Sequence, residues 1–453
     1  MISQKLQKPS LIFTLLVLGF FISCKPSPEE IIKENEVPTQ WANLTLYITR
    51  YTPSNSPTYA SRAFGYIGLT MYESIVAGFP EYNSMKGQLN GLDSLPMVEN
   101  NKNYNWAIAL NAGQSEIIKK IYQQTSDENK AKIDSLENHI YEQLRFNVDD
   151  EIANRSASYG KKIADAIFEW SKSDGGHRGY LHNFDKKMVH LDRPGSWKPP
   201  LFAQSFSHHP LHPHWGSNRT FAPANTVMEA PTVIPYDTTP GSPYYQQFEA
   251  VYLKDLALTQ KEKEAALWWG DDPDLTFTPP GHSYYFATLA AEGHHSTLIE
   301  SAALYAKVGM AVADAFIKCW KWKYQFFTER PNTFIPKYID EEWESFWPDP
   351  PFPSFPSGHA IQAAAAATVL EDTFGKHFSF TDKAHEGRER DEIRETDFVN
   401  RSFNTFWEAA QETADSRFYG GIHTPIDNEV GLTQGVKIAN NINHLIWKKS
   451  DEK

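Results

Sequence analysis

The sequence predicts an all-α protein, and three features of the chain indicate that class. Apolar residues recur at spacings of three and four over long stretches, as on one face of a helix. The alternation of apolar and polar residues that is typical of half-buried strands is not evident. Proline-rich segments separate the periodic stretches, and proline interrupts helices. We therefore expect a helical bundle with long connecting loops.

Ten segments carry the helical pattern. The third and fourth begin near acidic residues, Asp127 and Asp149, which the helix dipole favours at that end. The longest segment keeps Leu304 and Val308 on one face. Between residues 175 and 243 the chain is irregular, and loops of that length are typical of functional or surface-wrapping segments. The predicted helices cover residues 58–77, 107–124, 128–144, 151–173, 244–256, 260–269, 296–324, 360–370, 402–416 and 427–447.

The N-terminus has the pattern of a bacterial lipoprotein signal. Lys5 and Lys8 precede an apolar run over residues 11–22, and Cys24 follows at the expected cleavage point. We therefore predict a signal peptide over residues 1–23 and lipidation of Cys24. An ordinary signal peptide and an uncleaved anchor are the alternatives.

The remaining chain is then expected outside the cytoplasm, in the periplasm or at the cell surface, held to a bacterial outer membrane by the lipid alone. Residues 24–40 are polar, as a tether would be, and residues 41–450 are predicted to form one helical domain. No later apolar run reaches the length that spans a bilayer. The formal net charge of −13 argues against nucleic acid as a partner, because a phosphate backbone requires a basic surface.

Three short segments in the C-terminal third carry groups that suit a multiply charged oxyanion. They are residues 323–331, 356–359 and 416–427. Taken singly, each group is more often structural, since cations suit helix C-termini and a serine before a helix is an ordinary cap. Together they supply three cations, a hydroxyl, a glycine at a helix start and two histidines. One neutral histidine could bond to the central atom while the other moves protons.

These segments resemble the signature motifs shared by vanadium-dependent haloperoxidases and type 2 phosphatidic acid phosphatases. The motifs are Lys-x6-Arg-Pro, Pro-Ser-Gly-His and Ser-Arg-x5-His-x3-Asp, and all their spacings are matched. The resemblance is best over about residues 268–446, and the earlier helices resemble the N-terminal part of bacterial haloperoxidase-like proteins more loosely. It implies the helical bundle of that superfamily, with the anion site at one end of the C-terminal bundle.

The resemblance also implies a role for each matched residue. His423 would bond to the central atom of vanadate, and Asp427 would orient His423 by accepting its other N–H. His359 would be the acid/base group beside the axial oxygen, and Lys323 would act with both histidines in catalysis. The oxygens of the anion would be bound by Lys323, Arg330, Ser357, Gly358 and Arg417.

Vanadate and phosphate are isosteric, so the motifs leave the reaction open. In a phosphatase His423 would attack phosphorus, whereas in a peroxidase it would hold vanadium while hydrogen peroxide and halide react. Lipid phosphatases of the superfamily typically span the membrane several times, which this sequence does not predict. Trp320 stands where haloperoxidases carry a tryptophan that lines the halide side of the pocket. Phe352 stands where fungal chloroperoxidase-like members have phenylalanine and algal bromoperoxidase-like members have histidine.

A segment before the motifs extends the resemblance. Residues 269–273 and 278–282 resemble a haloperoxidase segment whose aspartate steadies the arginine of the third motif. Asp271 would then pair with Arg417, with Asp272 as the second choice. The expected activity is vanadate-dependent oxidation of iodide or bromide by hydrogen peroxide. A soluble acid phosphatase with a histidine nucleophile is the alternative, and an oxyanion-binding lipoprotein without catalysis is the weakest.

Overall fold

The computed structural model describes residues 32–188, 191–199, 209–273 and 275–451. The predicted all-α class is confirmed, because these residues form fourteen α-helices and a sheet of only two short strands. None of the described helices is both long and apolar enough to cross a membrane. The predicted signal peptide and Cys24 lie outside the described residues. The elements are α1 (Val37–Arg50), α2 (Pro57–Glu73), α3 (Trp106–Ile121), α4 (Asp127–Leu144), α5 (Asp150–Ser171), α6 (Pro223–Thr226), α7 (Pro243–Asp255), α8 (Gln260–Trp268), α9 (Thr278–His294), α10 (Leu298–Phe326), α11 (Pro331–Tyr338), α12 (Gly358–Phe374), β1 (Phe380–Asp382), β2 (Arg401–Phe403), α13 (Phe406–Tyr419) and α14 (Pro425–Asn443).

All ten predicted helices are present, with their ends displaced by a few residues. The displacements follow the caps, which periodicity alone does not locate. The longest helix, α10, starts at a capping box formed by Thr297 and Glu300. Helix α12 starts earlier than predicted because Ser357 caps it and Gly358 is its first residue. The second motif therefore lies at a helix N-terminus.

Three helices of eight or more residues and both strands were not predicted. Helix α1 begins at Val37, inside the predicted tether, because Pro38 occupies the first turn, where a missing N–H costs nothing. Helix α9 likewise begins with two prolines, and α11 begins at Pro331. Strands β1 and β2 pair antiparallel with Phe380 opposite Phe403, and three residues are too few for an alternation to be recognised.

Helix α10 forms the centre of the fold, and most of its residues are buried. It packs against α2 on one side and α12 on the other, and α12 packs against α14. Glycines permit close contact between α2 and α10, since a side chain at Gly68 would overlap the Tyr305 carbonyl and one at Gly309 would overlap the Phe64 carbonyl. The packing of α12 against α10 places the N-terminal end of α12 beside the C-terminal end of α10.

Candidate active site

The first and second motifs meet where α10 ends and α12 begins. Lys323 lies in the last turn of α10 and is fully buried. A Cβ atom placed on Gly358 would lie 3.9 Å from Cε of Lys323 and 3.6 Å from the Trp320 ring. The first N–H groups of a helix have no partner inside the helix, so the start of α12 presents free donors beside a buried ammonium group.

Backbone carbonyls of the loop before α12 hold the first two cations. Lys323 donates from Nζ to the Pro353 oxygen at 2.9 Å and to the Ser354 oxygen at 2.6 Å. Arg330 donates from Nε to the Phe352 oxygen at 3.0 Å and from Nη1 to the Ile422 oxygen at 2.7 Å. Since Ile422 precedes His423, Arg330 also connects the first motif to the third.

The third cation, Arg417, lies near the end of α13 and is buried. It donates to the Ser416 hydroxyl at 3.1 Å and to the Ala266 carbonyl at 2.9 Å. Burial lowers the pKa of Arg417 to about 10 and that of Lys323 to about 7, and it also lowers the pKa of Arg330. The hydrogen bonds of these three side chains go to carbonyl and hydroxyl oxygens rather than to carboxylates. A bound anion would therefore provide the compensating charge.

His423 is held through one ring nitrogen only. Its Nδ1 lies 2.9 Å from Oδ2 of Asp427 and 3.2 Å from Oγ of Ser354, and Ser354 donates to the same carboxylate oxygen at 2.6 Å. Burial lowers the pKa of His423 to about 3, and Arg330 acts in the same direction. The imidazole is thus neutral, with Nδ1–H donating to the carboxylate, so Nε2 keeps its lone pair.

Asp427 fixes the imidazole and the start of a helix at once. Helix α14 begins at Pro425, and the Thr424 N–H donates to the Asp427 carboxylate at 3.2 Å in a capping box. The positive end of the helix dipole favours a carboxylate at this position. Burial opposes ionisation of Asp427, but the bond from His423 lowers its pKa below the ordinary value. Because Asp427 both caps α14 and contacts His423, the orientation of His423 depends on the folded start of that helix.

His359 faces the same space from the second position of α12. It is half-buried, and its Nε2 has no hydrogen-bond partner within the described part of the chain. Burial lowers the pKa of His359 well below its ordinary value, and Arg417 acts in the same direction. This side chain is consequently a neutral base with a free ring nitrogen.

A cavity of about 550 Å³ connects these groups. Gly358, His359, Arg417 and His423 line one part of it, and Lys323 lies behind that wall. Trp320 and Phe352, predicted for the halide side, both line the cavity with their ring centres 4.9 Å apart. The structure thus brings the residues of all three motifs together.

Asp271 has different partners from those expected. It lines the cavity, but its Oδ2 bonds to His282 Nδ1 at 2.8 Å and its Oδ1 lies 3.2 Å from His385 Nε2. The direct pair with Arg417 expected from the sequence is replaced by these contacts, because two imidazoles lie closer. Attraction between Asp271 and Arg417 persists and opposes the lowering of the arginine pKa.

His282 lies between two buried carboxylates. Its Nε2 bonds to Asp382 at 2.7 Å, and the same carboxylate oxygen accepts the Trp268 indole N–H at 2.7 Å. Burial disfavours a charge here, but Asp271 and Asp382 raise the pKa of His282 to about 10. Asp271, His282 and His385 place three possible metal-ligating atoms within 4.8 Å of one another. Both nitrogens of His282 are nevertheless bound to carboxylates, so the imidazolium itself supplies the cation.

Sequence reasoning missed the cluster that Asp271 forms with His282, Asp382 and His385. His282, Asp382 and His385 are far apart along the chain and belong to no spaced motif. His282 lies in the haloperoxidase-like segment 278–282, but its spacing gives no indication of its carboxylate partners. Ser354 was also missed, because a serine two residues before a proline carries no signal of its contact with His423.

Known proteins resemble the chain in the motif region and over the whole fold. A family model described as the VCPO second helical-bundle domain matches residues 337–449. A bacterial vanadium-dependent iodoperoxidase structure is 29% identical, with a TM-score of 0.78, over 93% of this chain and 98% of that one. A holo-type bacterial vanadium-dependent chloroperoxidase is 16% identical, with a TM-score of 0.62, over 93% and 94%, which is a likeness of fold. None of the curated proteins matches the chain.

The similarity to solved vanadium-dependent haloperoxidases indicates an enzyme of the haloperoxidase type. The family-model match and the structural similarity support the vanadium haloperoxidase superfamily for this chain. The matched family region contains the second and third motifs, whereas Lys323 and Arg330 precede it.

Proposed function

We propose that the protein is a vanadate-dependent haloperoxidase that oxidises iodide or bromide with hydrogen peroxide. The observation that carries this proposal is the geometry of His423. Asp427 and Ser354 occupy its Nδ1, so Nε2 is the nitrogen available to a ligand in the cavity. A neutral imidazole whose other nitrogen bonds to a carboxylate is the usual arrangement for a metal-ligating histidine.

The residues around the cavity fit a tetrahedral oxyanion. Lys323, Arg330 and Arg417 are buried without carboxylate hydrogen-bond partners, and an anion would balance their charge. Gly358 leaves room for an oxygen close to the backbone at the start of α12, and Ser357 adds a hydroxyl. His423 would bind the central atom.

Bound vanadate would supply a Lewis acid that activates hydrogen peroxide toward attack by halide. The protein would hold this anion with its cations and keep His423 in the tautomer with a lone pair on Nε2. His359 would accept a proton at its unpartnered Nε2 and return it to the departing oxygen. The overall reaction consumes halide, hydrogen peroxide and a proton, and it yields hypohalous acid and water.

The preference for iodide or bromide has two supports. Trp320 and Phe352 give the cavity a polarizable aromatic wall next to Lys323, whose Nζ lies 5.1 Å from the Phe352 ring centre. The solved structure that is 29% identical is described as an iodoperoxidase. A weakly hydrated, polarizable anion suits such a wall.

The test is reconstitution of the purified protein with orthovanadate. We expect peroxide-dependent triiodide formation from iodide and bromination of a dye from bromide, both requiring vanadate and both inhibited by excess phosphate. Hydrolysis of p-nitrophenyl phosphate that vanadate inhibits, without halide oxidation, would instead establish the acid phosphatase. Vanadate binding with neither activity would establish an anion-binding protein.

We also propose that the protein is exported and lipid-anchored through Cys24. The support is the charged and apolar pattern that ends at this cysteine. Labelled palmitate should be incorporated into the wild-type chain and not into a Cys24→Ala variant. Equal labelling of both chains, or labelling of neither, would contradict the anchor.

A further inference from the structure

Helices α1 and α3 run in the same direction, so both begin at one end of the fold. Toward the start of α1, the Trp41 indole N–H donates to Oδ1 of Asn111 at 2.9 Å. Toward its end, the Thr49 and Tyr122 hydroxyls lie 2.7 Å apart. Helix α1 spans about 21 Å at 1.5 Å per residue. Its start and its end therefore mark two well-separated parts of the molecule.

The cavity lies at the end where α1 finishes. Ser54 and Pro57 both line the cavity where the chain passes from α1 to α2, and Ser54 is exposed. The chain enters the described fold at the other end of α1, where the Ile32 N–H donates to Gln143 at 2.8 Å, near the C-terminal end of α4. Ile32, Gln143 and residues 144–148 form the entry end of the fold. The length of α1 separates this entry end from the cavity.

The sequence limits how far a lipid on Cys24 can lie from the entry end. Residues 25–31 separate Cys24 from Ile32, and seven residues span at most about 25 Å even when fully extended. Bringing the cavity against a membrane would require this segment to be drawn out along almost the whole length of α1. A chain that carries a lipid on Cys24 therefore meets the membrane with its entry end.

The entry end exposes an aromatic side chain that suits a lipid surface. The Phe146 ring is 84% exposed and follows the end of α4, and phenylalanine is one of the residues with which proteins contact the headgroup boundary. The neighbouring cation, Arg145, lies 3.1 Å from Glu142, and Asp149 and Asp150 follow. The charges here give no attraction to anionic lipids, so the ring and the anchor define the contact.

We propose that the entry end is the membrane-facing surface of the protein, with Phe146 against the headgroups of a zwitterionic bilayer and the cavity facing the aqueous phase. The proposal rests on the proposed lipid on Cys24 and is independent of the peroxidase chemistry. Leu181 provides the contrast, because it is 63% exposed but lies two residues before Asn183, which lines the cavity. Its side chain would remain in water, and halide and peroxide would reach the cavity from solution.

Backbone hydrogen exchange tests this orientation in the full chain. Lipidated wild type on phosphatidylcholine vesicles is compared with the Cys24→Ala variant in solution. Exchange over residues 144–148 should be slowed at least about threefold on the vesicles, and exchange over residues 180–187 should be unchanged. Slowing over residues 180–187, or slowing over neither range while the protein sediments with the vesicles, would overturn the proposal.

A pair of variants tests the contact made by the ring. Phe146→Ala should lose at least about half of the slowing over residues 144–148, whereas Leu181→Ala should keep all of it. Equal slowing in both variants would overturn the assigned contact. If the chain isolated from cells carries no lipid, the anchor proposal alone fails. Coupling Cys24 to a maleimide lipid in the vesicles then repeats the measurement, because Cys319 is fully buried and does not react.

Discussion

Two buried histidines of this protein have carboxylate partners, yet their protonation states are opposite. His423 contacts one carboxylate and lies near Arg330 and Lys323, and its pKa is lowered to about 3. His282 contacts two carboxylates, and its pKa is raised to about 10. Both side chains are about equally buried. The difference lies in the neighbouring charges rather than in burial.

The comparison distinguishes two roles of histidine: His423 is able to bind a ligand atom, whereas His282 is a structural cation. A neutral imidazole with one nitrogen engaged keeps a lone pair for a bound atom, whereas an imidazolium with both nitrogens engaged has none. The excess of positive charge around His423 and of negative charge around His282 decides which form exists. The same residue type therefore keeps a lone pair free at one site, where we propose that it binds vanadate, and holds Asp271 in the cavity wall at the other.

The largest expected change is the loss of vanadate affinity when His423 is replaced. His423→Ala should reduce vanadate affinity by more than about 100-fold, since it removes the imidazole that Asp427 orients and whose Nε2 would bind the central atom. His359→Ala should retain binding and lower turnover. Vanadium content after dialysis and the rate of triiodide formation measure the two properties. Equal loss of vanadate from both variants would contradict the assigned roles.

The next largest effect is expected on the stability of the fold when His282 loses one of its two carboxylate partners. Asp382→Ala leaves the charge of His282 half-compensated, and we expect a loss of about 3–5 kcal/mol in unfolding free energy by chemical denaturation. Asp372→Ala removes an exposed partner of Lys307 and should cost less than about 1 kcal/mol. Stoichiometric bound metal in the wild type, with stability that follows metal removal, would show that the cluster is a metal site rather than an imidazolium.

A smaller effect is expected from the group that orients His423. Asp427→Asn keeps the shape but weakens the bond to Nδ1–H, so vanadate affinity should fall by about 10–100-fold. Asp93→Asn, at an exposed aspartate, is the control and should bind as wild type does. Unchanged affinity in Asp427→Asn would mean that Ser354 alone holds the ring.

The smallest effect is a difference in pH dependence. His423 has a folded-state pKa of about 3 against an ordinary value of 6.5, so it contributes a loss of stability as pH falls below 6.5. His282, with a folded-state pKa of about 10, contributes stability that is lost as pH rises from 6.5 through 10. His423→Gln should remove a slope of up to about 1.4 kcal/mol per pH unit on the acid side. Identical acid-side slopes in wild type and variant would show that His423 is protonated when folded.

The sequence predicts the helices whose pattern is long and regular. It misses α1, α9 and α11, which have proline in the first turn, a position that is compatible with a helix although proline breaks a helix elsewhere. Strands β1 and β2 lie below the length at which periodicity can be detected. The start of α12 at Gly358 follows from the Ser357 cap and not from the apolar pattern.

The motif residues are predictable because their spacing is a property of one chain segment. The partners of Asp271 are not, because His282 and His385 reach it only through the packing of α9 and the loop after β1. Sequence therefore predicts which groups the proposed anion would contact, and the fold determines the charge of those groups and the cavity beside them.

The glycine contact between α2 and α10 has a consequence for protein engineering. Gly309 lies fourteen residues before Lys323, or about 21 Å along the helix axis at 1.5 Å per residue. A methyl group at Gly309 would push α10 away from the Phe64 carbonyl. The ammonium group of Lys323, near the C-terminal end of α10, would shift with the helix. A chimera that takes its N-terminal helices from a relative must therefore keep glycine both at position 68 of α2 and at position 309 of α10, although neither residue belongs to a motif.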